Sequence, residues 1–144
     1  VSAFIEMHDD EVLNHTTPYP SAHETLTHFY NHGQKMAIAT NKRLATTIKI
    51  LRHLHWDPFF TSVECSDSEV IMRDKHQMIK TIIKKDNDFK GAYFVGDTVG
   101  DGLSANKSHT PFIKASYGYG QAQDWSKVNI HQEINHFSEV LELI

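Results

Sequence analysis

The stretch Gly91-Ala-Tyr-Phe-Val-Gly96-Asp97-Thr-Val-Gly-Asp101-Gly102 limits the folding options of this chain more than any other. Ala92 to Val95 reads as a short buried strand that stops at Gly96. Two carboxylates follow four positions apart, and Gly100 and Gly102 keep the backbone around them open. A buried strand that hands acids to a glycine-rich turn, and then to a helix, belongs to a parallel sheet. Its acids lie at the carboxyl edge, where open α/β folds keep their ligands. Two like charges held close together favour a bound cation, and all-oxygen ligands suit Mg²⁺. The same letters also read as local structure, with Asp101 capping the next helix and Asp97 closing a turn.

The rest of the chain supplies the other layers. Val1 to Leu13 reads as a short helix end, and Thr16-Thr-Pro-Tyr-Pro20 breaks whatever precedes it. Ser21-Ala-His-Glu24 is a capping box that predicts a helix over 21–32, ended by Gly33. Met36 to Ala39 is a second buried strand, and it runs into Thr40-Asn41-Lys42. Leu44, Ile48 and Leu51 then mark one face of a helix to about His53. A hydroxyl and the amides of a helix start at that point suit an anion. Thr40 reads equally as a residue that bonds its own turn.

Asp57-Pro58 marks a turn, and Ser62 to Cys65 a third strand. Asp74 predicts an N-cap, with Lys75 at the first helical position and Met78, Ile79, Ile82 and Ile83 on the buried face. A lysine at that end opposes the helix dipole. Either a bound anion offsets the cost or the side chain is solvated. Leu103 to Lys107 reads as a short helix, and Pro111 to Ala115 as a strand ending in Ser116-Tyr-Gly-Tyr-Gly120. Val128 to Ile130 is expected as an edge strand, and Phe137, Val140, Leu141 and Ile144 as a closing helix. This alternation predicts an α/β fold, a three-layer, Rossmann-like parallel sheet with helices on both faces.

Composition narrows the function. The 144 residues suffice for one domain with a real core, and their formal charge of −4 includes no basic stripe, which argues against nucleic acid as a partner. Eleven histidines are scattered without a zinc-ligand pattern and read as surface residues. No apolar run of 18 residues and no signal peptide is visible, so neither a membrane nor a secretory route is expected. The single cysteine, Cys65, fits a reducing, cytoplasmic compartment.

Taken together, Thr40, Lys75 and Asp97 converge on one sheet edge, and their order resembles the haloacid dehalogenase superfamily, in particular its phosphoglycolate phosphatase-like group. There a strand ending in Thr/Ser-Asn-Lys, matched by Thr40-Asn41-Lys42, binds the phosphoryl group. A lysine at a helix start, matched by Lys75, neutralises its charge, and Gly96-Asp97-Thr-Val-Gly-Asp101 matches a turn that holds Mg²⁺. Tyr19-Pro20 and the Ser116–Gly120 loop also match, although Ser21 replaces the usual glycine.

The resemblance covers about Pro18 to the C-terminus, and it implies a Mg²⁺-dependent phosphatase of a small phosphorylated metabolite. Thr40, Asn41 and Lys75 are then the catalytic residues, and Asp97 and Asp101 the metal residues. The family's first motif, Asp-x-Asp after an apolar strand, has no match. Asp86-Asn87-Asp88 follows two lysines, and Asp9-Asp10 has no residue between. The resemblance therefore implies that residues 1–17 are a cap remnant or linker and residues 18–144 a phosphatase core without its first strand. A non-catalytic phosphate-binding module of the same fold is the alternative. Without the first strand the chain alone is expected not to hydrolyse an aryl phosphate. It is also expected to associate through exposed sheet edges, unless Val1 to Met7 fills the gap.

Overall fold

Strand β2, Met36–Thr40, is buried at every position, as a central parallel strand must be. In the computed structural model, which describes residues 3–5, 21–68 and 73–143, it belongs to a six-stranded parallel sheet. The other strands are β1 (Ala3–Ile5), β3 (Ser62–Cys65), β4 (Tyr93–Gly96), β5 (Phe112–Ala115) and β6 (Gln132–Ile134), in the order β3-β2-β1-β4-β5-β6. Alternate residues of β2 feed two cores. Met36 and Ile38 join helices α1 (Ala22–Asn31) and α2 (Leu44–Leu54), whereas Ala37 and Ala39 join α3 (Lys75–Lys85) and α4 (Val99–Lys107). The three-layer α/β architecture is as expected.

The central slot differs from expectation. The first strand is not missing from the sheet, because β1 lies between β2 and β4 and pairs with both. Phe4 stands opposite Ala37 on one side and Phe94 on the other. Residues 3–5 are therefore sheet rather than the end of a helix. An empty slot would leave the backbone groups of two inner strands unpaired, at about 1–3 kcal/mol each, and the pairing of β1 with both neighbours avoids that cost. The other readings of Val1 to Leu13, the break at Thr16–Pro20, Asp9-Asp10 and Tyr19-Pro20 lie outside the described residues.

Four local readings are corrected. Ser21 makes no side-chain cap, because its φ of 64° is left-handed while a capping residue needs extended backbone. Helix α4 begins at Val99, not Leu103, since Thr98 supplies its cap. The edge strand is Gln132–Ile134 rather than 128–130, because Asn129 is tied to α4 instead of the sheet: Asn129 N–H donates to Asn106 Oδ1 at 2.8 Å, and Asn106 Nδ2 donates to Asn129 O at 2.9 Å. The closing segment is a 3₁₀ turn over Phe137–Glu142, which buries Phe137 and Val140 at the three-residue spacing such a turn stacks. Ile144 lies outside the described residues.

Candidate active site

Asp101 is the hub of the carboxyl edge. It is 0% exposed, and three hydrogen bonds converge on its carboxylate. Oδ2 accepts from the N–H groups of Asp97 (3.2 Å) and Thr98 (3.1 Å), while Oδ1 takes Lys75 Nζ at 2.5 Å. The local sequence explains the first two. Thr98 caps α4 by accepting from Asp101 N–H at 3.1 Å, and Asp101 returns the bond as the acidic half of a capping box. Gly96 is required here, since a Cβ would come within 2.7 Å of Asp101 Cβ. The capping reading of Asp101 is thus realised in part, with Thr98 as the cap residue and Asp101 as its partner in the box.

Lys75 is 8% exposed and sits at the first position of α3, behind the capping box of Asp74 and Gln77. Its charge opposes the helix dipole, and the carboxylate of Asp101 offsets it. The solvated reading is therefore replaced by a buried ion pair joining α3 to α4.

Thr40, 1% exposed, ends β2, and its Oγ1 accepts from Lys42 N–H at 3.2 Å. This is the turn bond of the local reading, and it leaves the hydroxyl hydrogen as a donor. Asn41 is exposed beside it. The open amides expected at the start of α2 are partly taken. Leu44 N–H donates to Asp67 Oδ1 at 2.7 Å, so a carboxylate of the chain sits where the helix N-terminus would attract an anion.

Asp97 is 3% exposed and lies under the Ser116–Gly120 loop. A Cβ at Gly118 would collide with the Asp97 carboxylate, and Gly120 N–H donates to Asp97 O at 3.0 Å. The register sets Thr40 and Asp97 level. Ile38, Ile5 and Val95 share one rung, and each site residue stands two positions beyond its own strand's member. Two strand spacings, about 10 Å, separate them across β1. Asp86 and Asp88 lie elsewhere, after α3, where Lys35 pairs with both at 2.8 Å.

Among the described residues no group of three or more His, Cys, Asp or Glu side chains is placed to hold a metal ion. The carboxylates of the turn fit a hard cation unequally. Asp101 already accepts three hydrogen bonds, which suits it to orient the turn, and Asp97 is the carboxylate that the turn presents beside it. The sequence reading missed Thr98, although a threonine three positions before an acid, as Thr98 is before Asp101, is a capping pattern. It also missed the Gly118 contact, which only the fold reveals.

This edge, on this strand order, decides the family together with one comparison. Residues 1–115 match the family model of haloacid dehalogenase-like hydrolases. The chain belongs to that family. It is 29% identical over 117 residues to the phosphoglycolate phosphatase of Agrobacterium fabrum, covering 81% of this chain and 50% of that protein. With the phosphoglycolate phosphatase of Caulobacter vibrioides it shares 26% identity over 120 residues, 83% of this chain and 51% of the relative. The chain thus spans about half the length of these relatives. A haloacid dehalogenase-like family hydrolase from Streptococcus pneumoniae superposes with a TM-score of 0.77 at 21% identity, covering 87% of this chain and 59% of that one, and so shares the fold. Among the described residues no helix is long and apolar enough to cross a membrane.

Proposed function

We propose that the whole protein is a Mg²⁺-dependent phosphatase of a small, phosphoglycolate-like phosphate monoester. The supporting observation is the buried Lys75–Asp101 pair, tied to the amides of Asp97 and Thr98, at the edge where β2 ends in Thr40. The Thr40 hydroxyl and Asn41 hold phosphoryl oxygens. Lys75 places a fixed positive charge against the charge that grows in transfer. Asp101 orients Lys75 and the turn, and Asp97 would hold the metal, which when bound supplies Lewis-acid stabilisation of the phosphoryl group. An aspartate attacks phosphorus as the ester P–O bond breaks, the alcohol leaves after taking up a proton, and water then hydrolyses the aspartyl-phosphate to the carboxylate and inorganic phosphate. That aspartate is not among the described residues, since β1 carries only Ala3, Phe4 and Ile5.

Phosphate release from phosphoglycolate and other small monoesters by the purified whole protein tests this. Activity is expected with Mg²⁺, and Asp97→Asn should lower kcat by about 100-fold or more. No release from any monoester, with phosphate still shifting the amides of Asn41 and Asp97, would replace the enzyme by a phosphate-binding module.

A further inference from the structure

The turn that presents Asp97 is gripped from inside by Asp101 and Thr98, and from outside by a second device. Gln123, on the exposed stretch after the Gly118-Tyr-Gly120 loop, accepts from Val99 N–H at 2.8 Å through Oε1. Val99 is the first residue of α4, and its N–H is one of the donors that a helix start leaves without a partner. Three residues earlier, Gly120 donates to Asp97 O at 3.0 Å, and its carbonyl accepts from Trp125 Nε1 at 2.9 Å. The Trp125 ring stacks on Phe112 at 6.1 Å, and Lys114 Nζ lies 4.5 Å from its centroid, which anchors the stretch in the α3/α4 core. Gly118 lies against the Asp97 carboxylate, so close that no side chain fits between them.

From this geometry we infer that Gln123 is a positioning residue for Asp97, and that residues 118–125 form a clamp holding its carboxylate in the direction a divalent cation needs. The inference rests on the reading of Asp97 as the metal ligand. The clamp acts on one side of the turn only, through Val99 N–H and Asp97 O, so its loss loosens the outer side of the turn without touching the Lys75–Asp101 pair. Gln123 is exposed, so replacing it leaves the cores packed. A bond of this kind contributes about 0.5–1.5 kcal/mol, hence about a three- to tenfold change in an affinity that depends on it.

The experiment is a titration of the purified protein with Mg²⁺ alone, followed by amide NMR shifts at Asp97, Thr98 and Val99. Gln123→Met, which keeps the length but removes the oxygen acceptor, should weaken Mg²⁺ binding about three- to tenfold. Gln123→Glu, which restores an acceptor, should stay within about twofold of the parent. Equal weakening by both, or none by Gln123→Met, would overturn the clamp. Asp97→Asn, run alongside, separates the two claims. If it abolishes binding while Gln123→Met does nothing, the metal reading stands and the clamp falls. Should Asp97→Asn bind like the parent, or the parent not bind at all, the metal reading falls and takes the clamp with it.

Discussion

A lysine placed first in a helix gains nothing from the helix itself, so what it does depends on its partner. Lys75 is buried, and its ammonium meets a carboxylate that is fully enclosed. Removing the lysine would leave Asp101 buried with two backbone amides as its only described donors. Breaking such a pair from one side costs about 3–5 kcal/mol. Because the two amides persist, we expect Lys75→Met to destabilise the protein by about 3 kcal/mol in urea unfolding. A loss below about 1 kcal/mol would mean that the pair is solvated and that Asp101 needs no cation. The residue types of this site were legible in the sequence, since Thr40, Asn41, Lys75, Asp97 and Asp101 all fall at strand or helix ends. Which of them are partners was not legible. The separation of 26 positions between Lys75 and Asp101 is closed only by packing α3 on α4.

At the scale of elements, periodicity located nearly every strand and helix, and the misses come from tertiary ties. Asn129 reads as part of a strand until Asn106 takes both its backbone groups. Three helices end in the same left-handed turn, at Gly33 (φ 74°), His55 (φ 59°) and His109 (φ 56°). In each, the next amide reaches back five residues, from Gln34, Trp56 and Thr110 to Phe29, Leu51 and Ala105. The glycine announced its turn in the sequence and the histidines did not, because their cost at positive φ is met by the bonds the turn makes.

Element packing also carries a pH dependence. Glu64 of β3 is buried against α3, and its Oε2 meets Arg73 Nη2 at 2.6 Å while Oε1 meets Lys85 Nζ at 3.0 Å. Burial works to raise its carboxyl above the usual range, but the bonds from Arg73 and Lys85 outweigh it and hold the group below that range. A depressed folded value means that the stabilisation is present above the unfolded value, near 4.5, and is lost as pH falls through the folded one. Stability measured from pH 6 downwards should therefore fall more steeply for the parent than for Glu64→Gln, which has no proton to take up. Parallel curves would place the acid response in other carboxylates.

At the scale of the whole molecule, the proposed function and the observed topology meet at the central strand. Phosphoryl transfer to an aspartate needs a carboxylate at the carboxyl end of the strand between β2 and β4. β1 holds that slot by pairing with both neighbours, and the positions level with Thr40 and Asp97 follow Ile5, outside the described residues. If the whole protein has a strand bearing Asp-x-Asp, that strand and Ala3–Ile5 cannot occupy the slot together. The longer strand would prevail, since each added rung brings further ladder bonds and buried apolar surface. Phe4→Pro separates these states. Proline lacks the N–H and is not accommodated in a central strand. In the chain as it stands, Phe4→Pro should empty the slot and expose the inner edges of β2 and β4. The consequence is a loss of about 3 kcal/mol or more, with association that grows with concentration. In a whole protein whose slot is held by another strand, the same change should cost less than about 1 kcal/mol, as surface substitutions do. Thermal unfolding and sedimentation across a concentration series read both outcomes. If Phe4→Pro leaves this chain a monomer that unfolds sharply at the parent temperature, β1 does not hold the sheet together, and the central strand must come from elsewhere.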